Sequence, residues 1–222
     1  GGGTMGRQIG LNAAIHGYTT TVCETVPAVR ENLLKWEEEY LMGRIAKGRM
    51  TSEQGESIKS RFSVTDDLKT AVIDTAIIIE SIIEDRRAKT KALQQISNLA
   101  PTDAIIGTNS SYMVSSLFKD VVSNPERLTN LHFFAPVLAM KLVEVVKGEH
   151  VSDATVEKAM DFCRAVDKTP VLVQKEEDGF IVNNILKVIK EEAYRLIHSG
   201  VCSIEDLDTA VKLGLGHPMG PF

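Results

Sequence analysis

Cysteine is scarce in this chain, which has three in 222 residues: Cys23, Cys163 and Cys202. They show neither Cys-x-x-Cys nor metal-ligand spacing, so the sequence indicates no disulfide framework and no metal site. Long apolar runs are also missing, because the run at residues 76–79 is interrupted by Glu80 and is too short to span a bilayer. The formal net charge of -5 argues against a generic nucleic-acid-binding protein.

The chain opens with a glycine-rich turn, Gly-Gly-Gly-Thr-Met-Gly, which fits the pattern GxGxxG. In this pattern the first glycine allows a tight turn, the second lets the backbone approach a pyrophosphate, and the third lets the following helix pack closely. Glu24 comes eighteen residues after the last glycine of the turn, at the end of a short β-branched stretch, where a carboxylate would accept hydrogen bonds from the ribose of NAD. The predicted NAD contacts are Gly1, Gly3, Thr4, Met5, Gly6 and Glu24.

The rest of the chain predicts an α/β fold. Strands are expected at residues 19–23, 76–79, 104–108, 128–134, 142–146 and 170–174, helices at 6–16, 27–48, 84–99 and 153–166, and the start of a further helix at 51–54. Strands that alternate with helices indicate a parallel sheet with crossover helices. Two further helices, at 180–198 and 203–213, follow Asp178-Gly179. The long helix at 27–48 carries three consecutive glutamates, Glu37 to Glu39, which predict a solvated face.

We therefore predict a Rossmann-type NAD-binding domain at residues 1–177 and the start of a helical C-terminal domain at residues 178–222. A dinucleotide-binding turn needs a strand before it, yet the chain begins at the first glycine of the turn. The other end of the chain is a loop with no closing element. The chain is thus expected to be truncated at both ends.

One histidine and one glutamate stand out in the middle of the chain. His132 lies near the end of a predicted strand, and Glu144 follows twelve residues later. A neutral imidazole can accept a proton from an alcohol at neutral pH, and a carboxylate beside it could fix its tautomer and stabilise the imidazolium. The glycine turn together with this pair predicts hydride transfer coupled to proton transfer.

Five ordered motifs resemble those of the L-3-hydroxyacyl-CoA dehydrogenase family, which includes the 3-hydroxybutyryl-CoA dehydrogenases. They are the glycine turn, Thr108-Asn109-Ser110-Ser111, His132-Phe133-Phe134 with Met140-Lys141-Leu142-Val143-Glu144, Asp178-Gly179-Phe180-Ile181-Val182-Asn183, and Gly216-His217-Pro218-Met219-Gly220-Pro221-Phe222. The resemblance covers essentially the whole chain. It implies reversible NAD-dependent oxidation of an L-3-hydroxyacyl-CoA to a 3-ketoacyl-CoA.

The resemblance also implies a role for individual residues. It makes His132 the general base and Glu144 its partner, and it places Ser111 against both nicotinamide and substrate. It assigns Asn183 to the reacting oxygen, Glu84 and Lys89 to the cofactor, and Lys47 to coenzyme A. It further implies a homodimer formed through the C-terminal domain, and it favours a bacterial or archaeal cytoplasmic enzyme over one of the mitochondrial matrix.

The sequence departs from the family pattern at Ala135, where members usually have asparagine after His-Phe-Phe. Alanine can make no side-chain hydrogen bond, so a contact near the nicotinamide is missing or supplied elsewhere. Two alternatives therefore stay open. The chain could act on a free hydroxy acid, as gulonate or carnitine dehydrogenases do, or it could bind the cofactor without turnover.

Overall fold

A computed structural model describes residues Gly1–Phe222 and divides them into two compact units, Gly1–Glu177 and Asp178–Phe222. None of the helices combines the length and the apolar character that crossing a membrane requires. The first unit contains helices α1 (Thr4–Ile15), α2 (Pro27–Ala46), α3 (Ser52–Arg61), α4 (Leu68–Val72), α5 (Arg86–Leu99) and α6 (Asp153–Ala165). Its strands are β1 (Thr20–Cys23), β2 (Phe62–Thr65), β3 (Ile77–Glu80), β4 (Ile105–Thr108), β5 (Leu128–Phe133), β6 (Leu142–Val146) and β7 (Thr169–Val173), with two 3-10 helices at Ser115–Val121 and Pro125–Arg127.

The strands of the first unit form two sheets. Strands β1 and β2 pair in parallel, and the other five strands form a sheet in the order β3-β4-β5-β6-β7. Between β1 and β3 lies a cavity of about 630 Å³, lined mainly by apolar side chains of α1, β1 and β3. The buried apolar side chains form three clusters, and one of them packs α1 and α6 against β5 and β6. Ser81, directly after β3, lies beside the glycine turn, because a Cβ at Gly1 would lie 2.7 Å from its carbonyl oxygen.

The expectation of a parallel sheet is wrong for one pair of strands. Strands β5 and β6 are antiparallel, whereas β3–β4, β4–β5 and β6–β7 are parallel. The connection between β5 and β6 has only eight residues, 134–141. A parallel crossover needs about a dozen residues or more, so a link of this length allows only an antiparallel return.

The expectation of a solvated face is wrong for one of the three glutamates of α2. Glu37 is 3% exposed, and its Oε1 has no hydrogen-bond partner, whereas Glu38 and Glu39 are exposed. Desolvation raises the pKa of the Glu37 carboxyl. Helix α3 packs on this side of α2 and removes the side chain from water.

The second unit contains helices α7 (Val182–His198) and α8 (Ile204–Leu215). Gly179 has a φ of 80° and Phe180 a φ of 51°, so the turn before α7 uses the left-handed region twice. The side-chain amide of Asn184 closes this turn by donating to the carbonyl oxygens of Asp178 (2.8 Å) and Phe180 (2.7 Å). Ser203 caps α8 by accepting a hydrogen bond from the N–H of Asp206.

Candidate active site

In the glycine turn, neighbouring atoms leave no room for a side chain at Gly1 or Gly6, whereas a side chain at Gly3 would meet no other atom. A Cβ at Gly6 would lie 1.9 Å from the carbonyl oxygen of Gly1, and a Cβ at Gly1 would lie 2.7 Å from that of Ser81. A Cβ at Gly3 would meet nothing within 4 Å. Gly3 is also the N-cap of α1 and offers no side-chain cap, so the first N–H groups of the helix face open space. A tight turn before an uncapped helix start is the arrangement that holds a pyrophosphate.

Glu24 is tied to this turn. Its Oε2 accepts a hydrogen bond from the N–H of Gly2 at 2.8 Å, and its Oε1 accepts one from the N–H of Val26 at 2.9 Å. Partial burial acts to raise the pKa of the Glu24 carboxyl, but these backbone donors hold it below its ordinary value. The carboxylate is therefore ionised at neutral pH and fixed beside the turn, where it can accept hydrogen bonds from ribose hydroxyls.

A second charged group lies at the carboxyl end of β3. The side chain of Lys89 is 1% exposed, and its Nζ lies 2.8 Å from an oxygen of Glu80 and 3.2 Å from an oxygen of Glu84. Thr108 donates to the other oxygen of Glu80 at 2.7 Å, and Ser110 donates to Glu84. The predicted cofactor residues Glu84 and Lys89 thus form one network in which Glu84 is the half-exposed member. The hydroxyl of Ser110 and the ammonium of Lys89 outweigh partial burial and hold the pKa of the Glu84 carboxyl below its ordinary value.

Sequence reasoning missed Glu80, which pairs with Lys89 inside this network. The available signal was its place directly after an apolar strand, because the carboxyl ends of parallel strands meet at one edge of a sheet.

His132 and Glu144 become neighbours through the pairing of β5 with β6, in which they stand directly opposite each other. The Nδ1 of His132 lies 2.8 Å from Oε2 of Glu144, and the two residues are 3% and 1% exposed. On the other side of the ring, Nε2 lies 3.1 Å from Oγ of Ser111. Because an ionised carboxylate can only accept, a neutral imidazole in this position donates through Nδ1 and accepts through Nε2.

Three further residues named in the sequence analysis lie on other elements of the chain. Lys47 is the exposed C-cap residue of α2. Asn183 is the second residue of α7 and belongs to the second unit. Ala135 is exposed and lies two residues after the end of β5, where its methyl group offers no polar contact.

Comparisons with known proteins agree with this geometry. The family model for the 3-hydroxyacyl-CoA dehydrogenase NAD-binding domain matches residues 1–177, and the model for the C-terminal domain of the same family matches residues 179–222. The mitochondrial hydroxyacyl-coenzyme A dehydrogenase of Rattus norvegicus is 37% identical over 228 residues, covering 100% of this chain and 72% of that protein. A probable 3-hydroxybutyryl-CoA dehydrogenase of Bacillus subtilis (strain 168) is 33% identical, covering 100% of this chain and 77% of that protein.

Among solved structures, (S)-3-hydroxybutyryl-CoA dehydrogenase from Ralstonia eutropha matches with a TM-score of 0.95 and 31% identity, covering 100% of this chain and 77% of that one. The predicted family resemblance is confirmed, as are the fold class of a Rossmann-type domain followed by a helical domain, NAD as cofactor and the enzyme class of NAD-dependent dehydrogenase. This chain belongs to the 3-hydroxyacyl-CoA dehydrogenase family.

Proposed function

We propose that this chain carries out its family's reaction, the reversible oxidation of an L-3-hydroxyacyl-CoA to a 3-ketoacyl-CoA, with His132 as the general base. The buried line Glu144–His132–Ser111 carries this proposal. It leaves one imidazole nitrogen as an acceptor and fixes the other against a carboxylate, the arrangement needed to remove a proton from an alcohol.

The glycine turn and its surroundings fit NAD. Gly1, Gly3, Thr4, Met5 and Gly6 would hold the pyrophosphate, because the turn is open at Gly3 and a Cβ at that position would fill the approach. Glu24 would bind the adenosine ribose, and the group of Glu84, Lys89 and Ser111 would lie toward the nicotinamide. When bound, NAD supplies the hydride acceptor at its nicotinamide ring.

Side chains of this chain remove the proton and stabilise the charge that results. His132 Nε2 removes the proton from the 3-hydroxyl as the carbon–hydrogen bond at C3 breaks and its electron pair leaves as hydride. Glu144 offsets the positive charge that then forms on His132. Ser111 donates to the substrate oxygen and holds it against Nε2. In the reverse direction protonated His132 returns the proton to the ketone oxygen as it becomes a hydroxyl.

Two residues outside this line complete the proposed substrate site. Lys47 would pair with a phosphate of coenzyme A, because its ammonium stands exposed at the end of α2. Asn183, in the second unit, would hydrogen-bond the reacting oxygen. An acyl-CoA is favoured over a free hydroxy acid by Lys47 and by similarity, over the whole of this chain, to dehydrogenases named for acyl-CoA substrates.

The test is loss of NADH absorbance on adding acetoacetyl-CoA, with NADPH and free acetoacetate as comparators. Oxidation specific to NADH and the thioester supports the proposal. His132→Gln should lower turnover by at least about 100-fold and leave NADH binding nearly intact, since it removes general-base catalysis alone. The matched control, His198→Gln, changes an exposed histidine of the second unit and should have no effect.

Three other outcomes would speak against the proposal. Turnover of His132→Gln within tenfold of the unsubstituted chain would remove the base role. Preference for free acetoacetate would support the alternative that the chain acts on a free hydroxy acid. Binding of NADH without oxidation would support a cofactor-binding protein that Ala135 has helped to inactivate.

The proposed assembly is a homodimer formed through the second unit. Its exposed side chains include many large apolar ones, among them Ile185, Val188, Leu213, Leu215 and Met219. Exposed large apolar side chains in this number are typical of a protein–protein interface. Two copies of the chain would cover these side chains.

The proposed compartment is the cytoplasm of a bacterium or archaeon, as the family resemblance favours, rather than the mitochondrial matrix. Relatives of similar identity include both a bacterial and a mitochondrial protein. Cell fractionation with matrix and cytoplasmic markers distinguishes the two, and co-fractionation with the matrix marker would contradict the proposal.

A further inference from the structure

Ser111 lies in the loop between β4 and the first 3-10 helix, and the start of this loop is firmly held. The N–H of Asn109 donates to the carbonyl oxygen of Glu80 at 2.8 Å, and the side chain of Asn109 accepts from the N–H of Phe133 at 2.9 Å. Ser110 donates its hydroxyl to Glu84 and accepts the N–H of Met113 at 2.8 Å. These bonds hold the loop from Asn109 to Met113 and leave the segment after Met113 to other partners.

Asn130 holds the far side of the loop from the strand that carries His132. Its Oδ1 accepts from the N–H of Ser115 at 2.7 Å, and its Nδ2 donates to the carbonyl oxygen of Met113 at 2.9 Å. Asn130 and His132 are two residues apart on β5, so their side chains share one face of the sheet. Strand β5 therefore carries the imidazole of His132 and, through Asn130, also holds the loop that contains Ser111.

Glu176 holds the same end of the loop from a distant part of the chain. Its Oε1 accepts two hydrogen bonds, from the hydroxyl of Ser115 and from the N–H of Ser116, both at 2.9 Å. Ser115 is fully buried, and the only other polar group near its hydroxyl is Nε2 of His150, at 3.4 Å. That nitrogen is closer to the carbonyl oxygen of Leu128, at 3.1 Å, so the hydroxyl proton of Ser115 goes to Glu176.

The carboxylate of Glu176 is surrounded by hydrogen-bond donors and has space around it. No cation pairs with it in an ion pair. A Cβ at Gly148 would lie 2.8 Å from Oε1 of Glu176, so a glycine at this position makes room for the carboxylate. Glu176 is also the second-last residue of the first unit, directly before the turn that leads into α7.

We propose that Glu176 is a positioning residue: by holding Ser115 and Ser116 it sets the place of Ser111 against His132, and it ties this loop to the point where the chain leaves the first unit. The proposal rests on the proposed role of Ser111. Losing the acceptor leaves a buried hydroxyl and an N–H without a partner and frees the loop. A misplaced Ser111 no longer holds the substrate oxygen against Nε2 of His132.

A double-mutant cycle with acetoacetyl-CoA and NADH tests this proposal. Glu176→Ala should lower kcat about tenfold, the scale of a small misplacement at a reacting centre. Glu176→Gln keeps an oxygen acceptor and should stay within about threefold of the unsubstituted chain. In a Ser111→Ala background, Glu176→Ala should cost nothing further, because the residue it positions is already gone. Glu177→Ala, at the exposed neighbouring carboxylate, is the matched control.

Hydrogen exchange supplies a readout that does not depend on turnover. Glu176→Ala should speed amide exchange in the segment 110–117 and leave α6 unchanged, whereas Glu177→Ala should change neither. Additive losses in the double mutant, or unchanged exchange at 110–117, would overturn the proposal. If the unsubstituted chain shows no turnover, the proposed function fails, and the exchange result alone decides whether Glu176 holds the loop.

Discussion

Glu144 is 1% exposed and meets the imidazole of His132, whereas Glu80, equally removed from water, meets the ammonium of Lys89. Both of these carboxylates have a hydrogen-bonding partner, as their low exposure demands. Glu24 lacks a cation partner among the ion pairs and is held instead by backbone N–H groups. The partner of each carboxylate is therefore consistent with its proposed role, which is proton transfer for Glu144 and cofactor recognition for Glu24.

Glu24 gives a prediction about cofactor choice. Glu24→Ala should weaken NADH binding about tenfold, because the ribose loses its acceptor, and should relax the preference for NADH over NADPH. Arg30 donates to the backbone oxygen of Glu24 at 2.8 Å and pairs with Asp66 at 3.0 Å, so a cation already lies beside Glu24. Fluorescence titration with both cofactors measures the ratio. The control is Glu31→Ala, an exposed glutamate on the nearby helix α2, and an unchanged ratio in Glu24→Ala would contradict the ribose role.

Glu37 gives a prediction about pH and stability. Burial raises the pKa of this carboxyl, so the folded state binds a proton more tightly than the unfolded state. Stability therefore falls as pH rises from the ordinary glutamate value through the raised one, and the destabilisation is complete above both. Glu37→Gln should raise Tm by about 2–4 °C at pH 7 and by much less near pH 4, where the carboxyl is protonated in both states.

Thermal unfolding at the two pH values checks this, with Glu39→Gln as an exposed control on the same helix. A gain in Tm that is equal at both pH values would show that charge burial is not its cause.

At the scale of elements, substitutions in the glycine turn should distinguish residues needed for packing from residues needed for cofactor binding. Gly6→Ala places a methyl group 1.9 Å from the carbonyl oxygen of Gly1 and should lower both Tm and NADH affinity. Gly3→Ala meets no atom within 4 Å and should leave Tm within about 1 °C, since alanine readily adopts the extended backbone found there. It should still weaken NADH binding by at least about tenfold, because the methyl group occupies the approach of the pyrophosphate.

Calorimetric titration of NADH, with thermal unfolding alongside, distinguishes the two effects. Unchanged NADH affinity in Gly3→Ala would mean that the open side of the turn does not face the cofactor.

The sequence predicted most elements of the first unit to within two residues, because their apolar periodicity and their turn residues are local properties. It missed β2 (Phe62–Thr65) and α4 (Leu68–Val72). Strand β2 has four residues and follows α3 without a break, so it carries almost no pattern of its own. It becomes a strand by pairing with β1, a partner about forty residues away in sequence.

At the scale of the whole molecule, the second unit gives a prediction about assembly. Leu213 is 82% exposed on α8, near other exposed apolar residues of this unit. If two copies meet there, Leu213→Asp should weaken dimerisation by at least about tenfold, since it places a charge inside an apolar interface. Sedimentation velocity over a range of concentrations measures the change. Lys212→Asp introduces the same side chain at the neighbouring position and serves as control; a chain that stays monomeric without substitution would contradict the dimer.

The sequence by itself determined the chemistry and the order of the elements: a glycine turn before a helix, an acid after the next strand, a histidine and a glutamate on successive strands. Backbone conformation, side-chain period and chemical type are encoded locally and can be read residue by residue. Only the tertiary structure decided that His132 faces Glu144, since antiparallel register depends on two strands and the link between them. It likewise buried Glu37 under α3 and brought Glu176 to Ser115, 61 residues away in sequence. Such contacts depend on how separate elements pack, and no local pattern carries that information.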